Sequence, residues 1–406
     1  MVSRPVSRRM FLGQTLGIGC SLAASPLLTQ VSLAGAPGDN RLVVIILRGA
    51  MDGLDALRPV GDPGYTALGR GALAAGGTRL DDRFTLHPRL APLMPLWEAG
   101  AFGAAHAVST PYRDGRSHFD GQDLLEAGDL SQTGARDGWL NRLLTLLPQG
   151  PTETAYAVGD DALKLLDGAA PVLRWAPEAD LALSPQAVSL TELVMQEDPR
   201  FAASFAQALR IAGGDGDPVE VADQAAMRAA LGSDQKGGRG PNSAVRAIAE
   251  FVAARLREES RIAAFSINGW DSHDRQDATL GRALDRLSEA ILTLRDGLGP
   301  EWERTAVLAM TEFGRTARLN GTNGTDHGTG GAMFLAGGAL AGGRIVTDWP
   351  GLSEEALYDR RDLMPTRDVR AHAGWVLRGL FGIGASDLER VVFPGLDLGA
   401  DPGWIA

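Results

Sequence analysis

The segment "GTNGTDHGTGG" (321–331) holds the only Asp-His pair in the sequence, Asp326-His327, among Gly, Thr and Asn residues. Carboxylate and imidazole together suit zinc or a harder divalent cation. Gly lets a backbone approach a ligand closely, but the same residue types also build solvent-facing turns. On the metal reading the loop is pliable, so that Asp326 and His327 swing onto an ion. The chain has six His, and three have a carboxylate within two residues: His118 with Asp120, His273 with Asp271 and Asp274, and His327 with Asp326. Ser117 stands between Arg116 and His118 in "YRDGRSHFD". A hydroxyl held on a divalent cation is a competent nucleophile, because coordination lowers its pKa. Arg48, Arg116 and Arg315 suit a phosphate or sulfate oxyanion.

Plainer readings stand beside these. Asp52 suits a turn or helix N-cap, His118 and Asp120 suit the start of the helix in "DGQDLLEAG", and His273 suits a polar loop. His87, before Pro88, reads as structural. His106 falls inside a strand pattern and reads as a satisfied buried imidazole, while His372 belongs to the core or surface of an apolar helix.

These groups need elements to position them. "RLVVIIL" (41–47) is short, apolar and β-branched, as a strand buried on both faces is. Similar runs lie at 101–108, 155–158, 261–267, 305–310 and 332–337. Between them, "LHPRLAPLMPLWEAG" reads as a Pro-interrupted helix, and 244–260 and 278–299 show helical spacing of apolar residues. Strands alternating with helices predict an α/β fold of three layers, a mostly parallel central sheet between helices. Ligands in such folds bind beyond the carboxyl ends of the strands. Asp52 and the clusters at 115–123, 268–274 and 311–316 all follow predicted strands, so they are expected at one sheet edge.

The first 36 residues read as an export leader rather than as part of the fold. "SRRMFL" matches the twin-arginine signal, with Arg8 and Arg9 as its pair, and Ser32-Leu33-Ala34 offers a cleavage site before Gly35. The apolar stretch that follows is too short and too interrupted for a stable membrane span. Cys20 is the single cysteine, and "GIGC" lacks the branched apolar residue that lipidation favours. A mature chain without it has no disulfides, and must bind any metal through His and carboxylates. Losing Arg4, Arg8 and Arg9 takes the formal charge from −11 to −14, which argues against nucleic acid or anionic lipid as a partner. The expected location is the periplasm or the exterior. Residues 37–406 form one domain, with 150–245 as a candidate inserted helical or cap region.

The blocks "LVVIILRGAMDGLDALRPVGDPGY", "LHPRLAPLMPLWEAG", "RSHFDGQD", "NGWDSHDRQ", "TEFGRTARLNGTNGTDHGTGGAMFLAGG" and "GGRIVTDWPGL" resemble the bacterial family called domain of unknown function 1501. That family is similar in fold to the alkaline phosphatase and sulfatase superfamily, which has a two-metal site. The resemblance implies Asp52 as a first-strand ligand and Ser117 as nucleophile. It implies Asp271 and His273 on one metal, with Glu312, Asp326 and His327 as late-strand ligands. Glu312-Phe313 stands where the superfamily has an Asp-His pair, and "WDSH" is shorter than its usual spacing. These departures point to one metal rather than two, or to lost hydrolysis. The expectation is a hydrolase of a small or polymer-borne anionic ester using Zn, Mn, Mg or Ca. Arg116 and Arg315 would clamp the ester, and His118 would join the ligands. The alternative is a non-catalytic metal- or anion-binding relative serving surface polymer or protein assembly.

Overall fold

The computed structural model describes residues 31–34, 39–113, 115–129, 137–147, 163–175, 242–258 and 260–406. The twin-arginine pair, Cys20, the 155–158 run and most of 150–245 lie outside them. The strands are β1 (Val31–Ala34), β2 (Arg41–Arg48), β3 (Leu57–Arg58), β4 (Thr78–Arg79), β5 (Thr85–Leu86) and β6 (Phe102–Ser109). There follow β7 (Leu173–Trp175), β8 (Ile262–Asn268), β9 (Thr305–Met310), β10 (Gly331–Ala336), β11 (Ile345–Val346) and β12 (Arg367–Asp368). Among the described residues, the helices of eight residues or more are α1 (His118–Ala127), α2 (Trp139–Leu146), α3 (Ser243–Arg257), α4 (Gln276–Leu298) and α5 (Val369–Phe381).

β2 lies near the middle of a nine-stranded sheet of order β11-β6-β10-β9-β2-β8-β1-β7, with β12 beside β6. Its side chains alternate between faces with the period of a strand. Val43, Ile45 and Leu47 pack into the core formed with α3 and α4. Leu42, Val44 and Ile46 pack into the core formed with α2 and α5. A sheet buried on both faces by helices is thus a three-layer α/β structure. The predicted runs at 41–47, 101–108, 261–267, 305–310 and 332–337 are all strands, and the helical patterns near 244–260 and 278–299 are α3 and α4.

The sheet is mixed rather than mostly parallel. β2 runs parallel to β8 and β9, but β10 is antiparallel to both β9 and β6. The reason is the connection: 311–330 joins β9 to β10 without a helix, and a parallel return needs a crossover along the sheet. This reversal matters for the site. It keeps both ends of the 311–330 loop at one edge, where β2, β6, β8 and β9 all present their carboxyl ends.

β1 is a second departure. Val31–Ala34, expected in the leader, pairs antiparallel with β8 and β7. It covers backbone groups of β8 that an open edge would leave unpaired. Cleavage before Gly35 would remove this strand. The three other histidines are structural. His106 is buried, its Nε2 donating to Gly53 O and Leu57 O at 3.1 Å and its Nδ1 accepting from Ala107 N. His87 caps the turn at Pro88, and His372 Nδ1 accepts from Trp404 Nε1 at 2.9 Å in the core.

Candidate metal centre

The carboxyl ends of four strands and one returning loop assemble the site. Just past β2, Gly49 (φ 121°) and Ala50 (φ 61°) take left-handed conformations. Their amide groups then donate to one acceptor, Glu312 Oε1, at 2.9 and 3.0 Å. Successive N–H groups aimed this way make an anion cradle. A Cβ on Gly49 would stand 2.6 Å from Asp271 N, so glycine is what lets the β2 end touch the loop after β8.

Glu312 follows β9 and is fully buried. Besides the cradle, its Oε1 accepts from His118 Nδ1 at 2.8 Å and Gln122 Nε2 at 3.1 Å, while Thr311 Oγ1 donates to its Oε2 at 3.0 Å. His118 is the first residue of α1, whose N-cap is Ser117. With its Nδ1 proton committed to a carboxylate, His118 turns its Nε2 toward Asp271 Oδ2, 3.6 Å away. The Nε2 atom is buried and has no hydrogen-bond partner among the described residues.

The other two imidazoles are set the same way. His327 Nδ1 donates to Arg116 O at 2.7 Å, and His273 Nδ1 donates to Asp326 Oδ1 at 3.2 Å. Their Nε2 atoms lie 3.0 Å apart. Asp271 Oδ1 is 3.0 Å from His273 Nε2 and 3.5 Å from His327 Nε2, and Asp271 Oδ2 is 3.6 Å from His118 Nε2. His118, Asp271 and His327 each offer a donor atom, all within 4.8 Å of one another. Imidazoles that each give Nδ1–H to an acceptor and aim Nε2 at a shared point are arranged as metal ligands are. Two bare nitrogen lone pairs at 3.0 Å repel. A cation, a shared imidazolium proton, or a neutral ring carrying its proton on Nε2 relieves that contact.

The charges agree. Burial opposes ionisation of Asp271, but the facing His118 and His327 rings and the Arg315 guanidinium outweigh it and hold its carboxyl well below the usual carboxylate range. Asp326 is also lowered: its burial is outweighed by hydrogen bonds from Asn320 and His273. Asp271, then Glu312, raises His118 to about 9. A cation that takes Nε2 must displace this proton.

His118, Asp271, His273 and His327 therefore meet, with Glu312 and Asp326 directly behind them holding two of the rings. Asp52 does not join them. It is the buried N-cap of a helical turn at Gly53–Ala56, and its Oδ2 accepts from Arg70 Nη2 at 2.9 Å and Gln276 Nε2 at 2.7 Å. The left-handed turn at Gly49 and Ala50 aims N–H groups, not Asp52, at the site. Arg315 is no clamp for an external oxyanion, because its buried guanidinium is tied to Asp271 Oδ1 at 2.6 Å and to Thr325 Oγ1 at 3.1 Å. Arg48 is likewise engaged with Gln122 and Glu126. Ser117 Oγ accepts from Asp120 N at a long 3.4 Å. Arg116 is exposed, and its carbonyl orients His327.

The Gly-rich loop is packed rather than pliable. A Cβ on Gly324 would stand 2.2 Å from the His273 carbonyl, and one on Gly328 would stand 2.3 Å from the Arg315 carbonyl carbon. These glycines let 321–331 lie directly on its neighbours. Sequence reasoning missed Gln122 as a partner of Glu312, although it lies four residues after His118 and so on the same helix face. It also missed Gln276 and Thr325, which link Asp52 to Arg315. No local pattern marks them.

Fold and site together define an α/β protein whose sheet edge carries a His118, Asp271 and His327 triad able to hold a metal ion. The chain belongs to the family described as protein of unknown function (DUF1501), whose family model matches residues 80–373. That span contains the triad, His273, Glu312 and Asp326, while Asp52 lies outside it. No curated protein and no solved structure matches the chain. No helix among the described residues is long and apolar enough to cross a membrane.

Proposed function

We propose that this protein is an exported hydrolase of phosphate or sulfate esters that works with one divalent cation, on a fold of the alkaline phosphatase and sulfatase kind. One observation carries the reading: three imidazole Nε2 atoms and the Asp271 carboxylate converge, each ring oriented by an acceptor on Nδ1. A donor set rich in imidazole favours zinc over manganese, calcium or magnesium. The Asp271 side chain keeps 43% of its exposure, so an ester can reach the site. A bound cation supplies Lewis acidity to the ester oxygen and lowers the pKa of a hydroxyl or water beside it. Arg116 is the cation left to meet the ester oxyanion. Helices on both faces and a site at the carboxyl ends of strands support the fold kinship, and "SRRMFL" supports export.

Aryl phosphates and aryl sulfates, assayed with Zn, Mn, Mg and Ca, test this reading. Turnover that needs one of these metals supports it. Loss of turnover in Ser117→Ala assigns the attack to that hydroxyl, while retained turnover assigns it to metal-bound water. A second reading is favoured by Asp52 and Arg315, both committed elsewhere: a relative that binds metal or anion without turnover. Stoichiometric metal with no hydrolysis of any ester would select it.

A further inference from the structure

Beside the metal donors lies a cleft of about 190 Å³, bordered by Arg318, Arg360, Arg361, Asn320 and Asp326. Asp326 is shared: its Oδ1 holds His273 from one side and forms part of the cleft wall on the other. Three guanidinium groups gather here in a chain with 50 acidic and 39 basic residues. Their roles differ. Arg361 is fixed, donating to His327 O at 2.9 Å and Asp362 Oδ1 at 2.8 Å. Arg360 is 77% exposed, and its ion pair with Glu354 is long, at 3.9 Å. Arg318 is exposed and makes a long 3.4 Å contact to Ala67 O. Two weakly engaged forks beside one anchored fork suit a small anion with several oxygens, because guanidinium pairs bidentately with phosphate and sulfate. The volume has room for one such group.

We propose that this cleft binds a second tetrahedral oxyanion of the substrate, a phosphate or sulfate group next to the one at the metal. The inference rests on the hydrolase reading and deepens it: the substrate is a multiply charged ester, such as a polymer bearing phosphate or sulfate at neighbouring positions. Arg318 and Arg360 grip that group, while Arg361 supplies positive charge and keeps His327 in place.

The test is calorimetric titration of the chelated, metal-free full chain with inorganic phosphate and sulfate. Wild type is compared with an Arg318→Gln/Arg360→Gln double variant and with Arg360→Gln alone. The proposal expects phosphate or sulfate to bind wild type at least tenfold tighter than chloride or acetate. It expects the double variant to lose at least tenfold and the single variant part of that. Equal affinity in wild type and variants, or no preference over chloride, overturns it. A zinc titration of the same samples separates the two readings. Zinc binding that persists within twofold in the double variant leaves the metal centre standing whatever the anion result, and absent zinc binding removes the metal centre without touching the anion result.

Discussion

Glu312→Gln isolates what the buried carboxylate does for the metal donors. The side chain keeps its shape, and an amide oxygen can take the place of Glu312 Oε1, which accepts from Gly49 N, Ala50 N and His118 Nδ1 at 2.9, 3.0 and 2.8 Å. The amide nitrogen would face Thr311 Oγ1, which can accept from it while donating to Leu47 O. The cradle therefore survives, and the lost quantity is negative charge on the His118 ring. Charge-assisted bonds are roughly twice as strong as neutral ones, and outer-sphere changes of this kind cost about 10–100-fold in metal affinity. That range corresponds to about 1.4–2.7 kcal/mol. The proton complicates a measurement at neutral pH. Glu312 helps raise His118 to about 9, so removing its charge also eases proton competition and masks part of the loss. The clean comparison is a zinc competition titration against a chromophoric chelator just above that pH, with thermal melts as the control for folding. A folded variant with wild-type zinc affinity would refute the account of Glu312.

Other perturbations probe different links. Burial pushes His106 down to about 4 and His372 to about 3, so below the unfolded value of about 6.5 the unfolded chain binds protons that the fold refuses. Stability should then fall with acid, by about 2 kcal/mol between pH 7 and pH 5 for His106 alone, and a urea midpoint that stays flat over that interval contradicts it. Asp52→Ala leaves the buried Arg70 guanidinium without its carboxylate, at a cost of about 3–5 kcal/mol. Its folded fraction should still bind a full equivalent of metal, and metal loss with an unchanged melting temperature would return Asp52 to the site. Gly324→Ala drives a methyl into the His273 carbonyl, whereas a Cβ on Gly321 meets nothing within 4 Å. The first variant should weaken zinc binding at least tenfold and the second should not; equal effects would mean that close packing of the loop is irrelevant.

How much of this was legible beforehand follows from the range of each signal. The apolar run at 41–47 read as a central strand because it is short and β-branched, and its neighbours followed from the same local signals. Strand direction could not be read. It depended on 311–330 staying at one edge, a property of the whole loop. Four of the proposed ligands, His118, Asp271, His273 and His327, were visible because His and carboxylate stand together in clusters after predicted strands or on the Gly-rich loop. The sorting of donors from orienting groups was hidden, since it rests on which oxygen meets which Nδ1 across as many as 211 residues. Asp52 misled for the same reason: a strand-end Asp looks identical whether it faces a cation or a buried Arg70 eighteen residues on.

Elemental analysis of the purified full chain, alongside Asp271→Ala, tests the convergence most directly. Asp271 touches His273, faces His118 and His327, and also pairs with the buried Arg315, so a thermal melt must show the variant folded before its metal is counted. The account predicts one equivalent of divalent transition metal in the wild-type protein and less than a tenth of an equivalent in the folded variant (roughly the 10-fold scale of a lost donor). Folded wild-type protein that takes up no metal from a zinc or manganese buffer, or a variant that retains the full equivalent, would contradict it.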